Sequence, residues 1–223
     1  MSKVIVISAH PDDEILGCGG TLLKHKANGD DIAWIITTGI SESIGFSNER
    51  VTSRALEIEE IGTRIGASKI HQLDYPTMQL SDESLIKMVP QIAGIFSQFQ
   101  PEVVYVVNRS DAHTDHHITF KSVWSCTKSF RHPYIKKVMM YECISETEFG
   151  IPTADDMFIP NYLVDVSDFM EDKLNAMNVY ETELGNHPFP RSAANIKALA
   201  LYRGAMAGVQ YAEAFQLLKY IDK

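Results

Sequence analysis

Cysteine is scarce in this chain: Cys18, Cys126 and Cys143 are the only three in 223 residues, widely spaced and without a CxxC pair. That excludes a disulfide framework and a zinc ribbon, and it marks the three as small buried residues. No apolar run approaches the roughly 18 residues that a membrane helix needs, and the opening MSKVIVISAHPDDE turns acidic before the apolar stretch of a signal peptide would end. A cytoplasmic protein is the expectation. Positive charge is also in deficit: 20 Lys and Arg against 29 Asp and Glu leave a formal charge of −9, the wrong sign for gripping phosphate backbones. Nucleic acid and membrane surfaces are therefore not expected as partners. The chain lacks GxxxxGKS/T, HExxH and GxSxG, which removes a P-loop hydrolase, a zincin and an ordinary α/β-hydrolase. Repeats, low-complexity tracts and linkers are absent too.

What remains is an ordinary globular composition, 45% hydrophobic and 22% charged, over a length that suits a single domain spanning 1–223. Short apolar runs rich in β-branched residues predict strands at Val4 to Ser8, Ile32 to Thr37, Ile70 to Leu73 and Val103 to Val107. Helix-period stretches at about 15–29, 47–65 and 82–98 lie between them, with Gly29 and Gly66 placed as left-handed caps and Ser81-Asp82 opening the third helix. This alternation predicts an α/β fold, Rossmann-like, with a parallel sheet covered by helices on both faces. It forms a core over 1–130, and 131–223 completes the globule with another helix, strands at 138–141 and 162–166, an acidic helix from Ser167-Asp168, and a last long helical pattern from Arg191 to Leu218 broken by Gly204 and Gly208.

Ligands of open α/β sheets bind beyond the carboxyl ends of the strands. The loops there are His10 to Glu14, Gly39 to Asn48, Asp74 to Pro76 and Asp111 to His117; the first and fourth hold four of the eight histidines and five acidic residues. A catalytic divalent metal wants about three His or carboxylate ligands and an open position for water. Two such loops supply them, with carboxylate and histidine left over for proton transfer and oxyanion stabilisation. Spacing alone leaves open which aspartate of the HPDD stretch would bind metal. His25, His71, His132 and His187 stand apart and read as ordinary surface or core residues. Gly17-Cys18-Gly19-Gly20 fails as a dinucleotide fingerprint, because Leu22 stands where the third glycine is needed; the glycines instead read as close backbone approach.

These residues carry a resemblance. AHPDDE at 9–14, the following GCGGTL and HTDH at 113–116 are similar to the LmbE/PIG-L family of metal-dependent N-acetyl sugar deacetylases. Arg54 to Glu57, Leu73 to Pro76, Tyr202 to Gly204 and Tyr211 to Phe215 extend the likeness, the last two toward bacterial members such as the deacetylases of bacillithiol synthesis. The resemblance implies a zinc-dependent hydrolase, with Fe²⁺ or another divalent ion as alternatives, that removes an acetyl group from an N-acetylated hexosamine such as N-acetylglucosamine or from its conjugate. It implies His10, Asp13 and His116 as metal ligands and Asp12 as the base that activates the metal's water. His113 would stabilise the oxyanion and protonate the leaving amine, with Asp115 hydrogen-bonded to it, and Arg54 and Asp74 would contact the sugar. By family analogy the chain forms a trimer or hexamer. Asp111 stands where some members carry a tyrosine, so tyrosine assistance would fall to Tyr75 or Tyr141, and Asp111 would recognise an amino or hydroxyl group at the mouth. Two other readings share the fold: a non-catalytic sugar-binding protein, and an amidohydrolase for another N-acyl conjugate. Specificity is expected in the loops at 39–49, 74–80 and 143–160.

Overall fold

The computed structural model describes residues 1–222. The apolar runs become strands of one sheet: β1 (Lys3–Ser8), β2 (Asp31–Gly39), β3 (Ala67–Pro76), β4 (Val103–Val107), β5 (Lys137–Tyr141), β6 (Tyr162–Asp165) and β7 (Ala212–Tyr220). The helices are α1 (Asp13–Ala27), α2 (Asn48–Ile65), α3 (Leu85–Phe99), α4 (Thr114–Ser125), α5 (Met170–Met177) and α6 (Ala193–Ala207). Strand order is β3-β2-β1-β4-β5-β7-β6. The first five strands run parallel and β7 pairs antiparallel with both β5 and β6. Val4 to Ile7 and Ile32 to Ile35 are fully buried, as strands sandwiched between helix layers must be. Right-handed crossovers place α1 and α2 on one face and α3 and α4 on the other, because the chain reverses its direction across the sheet after β3. Among the described residues, no helix is long and apolar enough to cross a membrane.

The helical pattern expected through Leu218 is corrected. Helix α6 stops at Ala207, Gly208 caps it in the left-handed region with φ 71°, and the chain returns as β7. Gly204 is needed for that return, since a Cβ there would lie 2.6 Å from the Gln210 carbonyl oxygen. The three cysteines are buried free thiols. Gly17 does serve close approach: a Cβ would lie 2.1 Å from the Tyr141 ring. That part of α1 is also where the helix breaks, at Cys18 (φ −142°, ψ 20°).

Candidate functional site

The reversal of strand order falls between β1 and β4, and an open sheet leaves a crevice at such a point. Both polar loops open there. The chain leaves β1 through His10 and Pro11 and enters α1 at Asp12, whose backbone has φ 144° and ψ −30°. Few residues other than glycine adopt that conformation, and it is held by the Asp12 carbonyl accepting from the N–H groups of Ile15 and Leu16 at 3.0 and 2.9 Å. Asp13 is pinned in turn: its Oδ2 accepts from the backbone N–H of Ala9 (2.9 Å) and of His10 (2.8 Å). Oδ1 is left facing inward.

Two histidines face Asp13, and each is held from behind by a buried aspartate. His116, from the first turn of α4, has Nδ1 2.8 Å from Asp111 Oδ2, and Asp111 Oδ1 accepts from Asn108 (2.7 Å) and Thr147 (2.6 Å). His10 has Nε2 3.2 Å from Asp115 Oδ2. Asp115 also accepts from the backbone N–H of Met78 (2.7 Å) and Leu80 (3.1 Å), which ties the loop after β3 to the same group. His116 Nε2 is buried without a hydrogen-bond partner, facing Asp13 Oδ1 at 3.4 Å. Ligand atoms of His10, Asp13 and His116 lie within 4.8 Å of one another. A second set, His10, His113 and Asp115, meets the same distance. There, however, the Asp115 carboxylate already binds His10 and two backbone amides. The first set fits a divalent ion better: an orphaned imidazole nitrogen, a carboxylate oxygen that faces it and accepts from the Cys143 thiol at 3.4 Å, and both histidines oriented by carboxylates as metal-binding histidines usually are.

The electrostatics separate the four carboxyl groups. Burial alone would raise Asp13, but the charges of His116 and His10 outweigh it and hold it well below the usual carboxylate range. Burial, reinforced by Asp13 and Glu183, pushes Asp12 well above that range. Burial likewise pushes Glu14 up to about 8, although the Tyr180 hydroxyl donates to it at 2.8 Å. Burial would raise Asp115 too, but the hydrogen bonds from His10 and the Met78 amide outweigh it and leave the group lowered. His113 is lowered to about 4 by burial and by the charge of His10, so its imidazole is neutral near pH 7. Its Nδ1 accepts from the Asp115 backbone N–H at 3.1 Å, which assigns the proton to Nε2.

His10, Asp12, Asp13 and His113 form one wall of a cavity of about 420 Å³, within the range of small-molecule sites, with His116, Asp111 and Asp115 buried behind them. The opposite wall comes from α2 and the C-terminal half. Arg54 donates to the Pro11 carbonyl (2.6 Å) and pairs with Glu183. Arg50 (3.4 Å) and Arg191 (3.4 Å) converge on the same Glu183 carboxylate. Asp74 lines the rim with φ 54°, and each of the three loops expected to set specificity contributes lining residues.

Several sequence expectations are revised. Asp111 is not at the mouth: it is 1% exposed, with both oxygens engaged behind His116. It lies in the loop floor, where it orients an imidazole. Asp115 meets His113 through its backbone N–H, while its carboxylate lies 4.0 Å from the ring and orients His10. Neither tyrosine reaches the cavity, because Tyr75 donates to Gln91 (2.9 Å) and Tyr141 to the Ile7 carbonyl (3.0 Å). Arg50, Glu183 and Arg191 join the site without any expectation from sequence. Glu183 ends a short 3₁₀ turn (Glu181–Glu183) and Arg191 precedes α6, both far along the chain from the HPDD stretch, and no local pattern points to them.

Comparisons with known proteins bear on this arrangement. The GlcNAc-PI de-N-acetylase (PIG-L) family model matches residues 5–127. Diacetylchitobiose deacetylase of Thermococcus kodakarensis is 27% identical over 232 residues, covering 98% of this chain and 84% of the relative. The conserved protein TT1542 of Thermus thermophilus shares the fold with a TM-score of 0.78 at 24% identity, over 100% of this chain and 97% of that one. A 4-carboxy-2-hydroxymuconate hydratase of Pseudomonas putida also shares it, with a TM-score of 0.76 at 17% identity over 100% and 98%. Likeness of fold alone therefore spans more than one reaction, and the site must carry the argument.

Proposed function

The chain belongs to the GlcNAc-PI de-N-acetylase (PIG-L) family, and on that footing we propose that it is a metal-dependent hydrolase that removes the acetyl group from an N-acetylated hexosamine or its conjugate. The observation that carries this reading is the pair of buried Asp–His contacts, Asp115–His10 and Asp111–His116, which leave one nitrogen of each histidine for Asp13 and a shared ion. A divalent ion there, zinc or Fe²⁺, would supply Lewis-acid polarisation of the amide carbonyl and a lowered pKa for water.

The chain's own groups do the rest. Asp12 stands beside the ligands with a carboxyl whose affinity for protons is raised, which suits a group that must take a proton from the attacking water. His113 presents Nε2–H to the carbonyl oxygen as negative charge develops there. The departing amine takes up the proton that Asp12 accepts from water, delivered through His113 as the family resemblance implies. Atoms and protons balance: water and the amide become acetate and the protonated amine, both protons of the water ending on the amine nitrogen and the protein groups returning to their starting states. Arg54 and Asp74 both line the cavity, and we assign them to sugar hydroxyls, as the family resemblance implies.

The test is acetate release from free, nucleotide-linked and inositol- or thiol-conjugated N-acetyl sugars, using zinc-loaded protein beside Asp12→Asn. Release by the wild type alone supports the reading. No release from protein that holds its metal would remove the acetyl-sugar substrate and favour another N-acyl conjugate or a binding role.

A further inference from the structure

Helix α1 carries Asp13 and Glu14 in its first turn, yet it breaks at Cys18 soon after. The break has a packing cause. Gly17 is pressed on the Tyr141 ring, while a Cβ on Gly20 would lie 2.8 Å from Val166 Cβ, so the two halves of the helix lean on different neighbours. In an unbroken helix the Gly20 N–H donates to the Leu16 carbonyl. Here each of those two peptide groups meets one member of a buried ion pair. Lys173, from α5, donates through Nζ to the Leu16 carbonyl at 2.8 Å. Glu213, from β7, accepts through Oε1 from the Gly20 N–H at 2.8 Å and through Oε2 from the Thr21 N–H at 2.7 Å. The two side chains meet each other at 2.7 Å and are only 5% and 3% exposed.

A buried ion pair adds little net stability over well-packed apolar residues, because desolvating both charges offsets their attraction. Stability is thus a weak reason for two charges here, and geometry is a better one. We propose that the Lys173–Glu213 pair is a positioning device for the metal site: by bridging the Leu16 carbonyl and the Gly20 amide, it sets the angle at the α1 break and so where Asp12 and Asp13 stand relative to His10 and His116. This rests on the reading of His10, Asp13 and His116 as metal ligands. Neither Lys173 nor Glu213 touches the cavity that holds those ligands.

The experiment measures zinc affinity by competition with a chromogenic chelator, well below each protein's Tm. It compares the wild type with Lys173→Met, Glu213→Gln, the double variant Lys173→Met/Glu213→Leu, His116→Ala, and Ile135→Ala as a destabilised core control before β5. All three variants of the ion pair are expected to bind zinc more weakly, by up to about 10- to 100-fold, the loss seen when a group that orients a ligand directly is removed. Their kcat is expected to fall more than their KM changes. Ile135→Ala is expected to lower Tm while keeping its zinc, which separates positioning from plain loss of stability. Wild-type zinc affinity in the ion-pair variants, with His116→Ala deficient, would overturn this inference and leave the metal site standing. Wild-type affinity no better than that of His116→Ala would overturn the metal reading and this inference with it. Should the single variants fail to fold, the double variant decides, because it leaves no unpaired buried charge.

Discussion

The two walls of the cavity are built by different means. On the wall from β1 and β4, short side chains are fixed by backbone amides and buried aspartates: Asp13 by Ala9 and His10, His116 by Asp111, His10 by Asp115. On the opposite wall, long side chains meet one another, with Arg50, Arg54 and Arg191 sharing Glu183, which is 24% exposed. Short groups braced from behind by buried carboxylates and backbone amides hold one geometry. Long side chains around one shared carboxylate have more rotamers and alternative partners to choose among than short groups held by backbone amides. On the proposed reading, chemistry belongs to the first wall and substrate recognition to the second.

Four substitutions test that contrast. The largest effect is expected for His116→Ala, which should lose both bound metal and activity; full zinc occupancy by metal analysis would take His116 out of the ligand set. Asp12→Asn should keep the metal and lose about 10²- to 10⁴-fold in kcat, the range for a general base, and wild-type turnover would remove Asp12 from that role. Behind the ligands, Asp111→Asn should weaken zinc binding about 10- to 100-fold, because His116 loses its carboxylate partner; unchanged affinity in a chelator titration would make Asp111 a purely structural residue. The smallest effect belongs to the far wall. Glu183→Gln should raise KM about tenfold, roughly one charge-assisted hydrogen bond, with kcat nearly held. A collapse of kcat instead would mean that the two walls are not separable.

The first wall is also the more legible one. His10, Asp12, Asp13, His113 and His116 arrive in two short stretches at the ends of strands whose apolar runs are plain in the sequence, so topology alone brings them together. The role of Asp111 is hidden, because a loop aspartate looks the same whether it faces solvent or the back of an imidazole. Glu183 and Arg191 are hidden for another reason: they reach the cavity through tertiary packing of the C-terminal half, which no local pattern encodes. The same limit explains β7. Its residues continue a helical periodicity, and only Gly208 in the left-handed region marks where the chain stops being a helix.

The backbone at Asp12 places folding and turnover in opposition. A non-glycine residue at φ 144° costs on the order of 1–3 kcal/mol, and its carboxyl lies buried beside that of Asp13. Asp12→Gly would relieve the strain and the crowding together. If Asp12 is the base proposed above, a library of variants sorted only for thermal resistance would be expected to discard it early, yielding a hardier protein that turns nothing over.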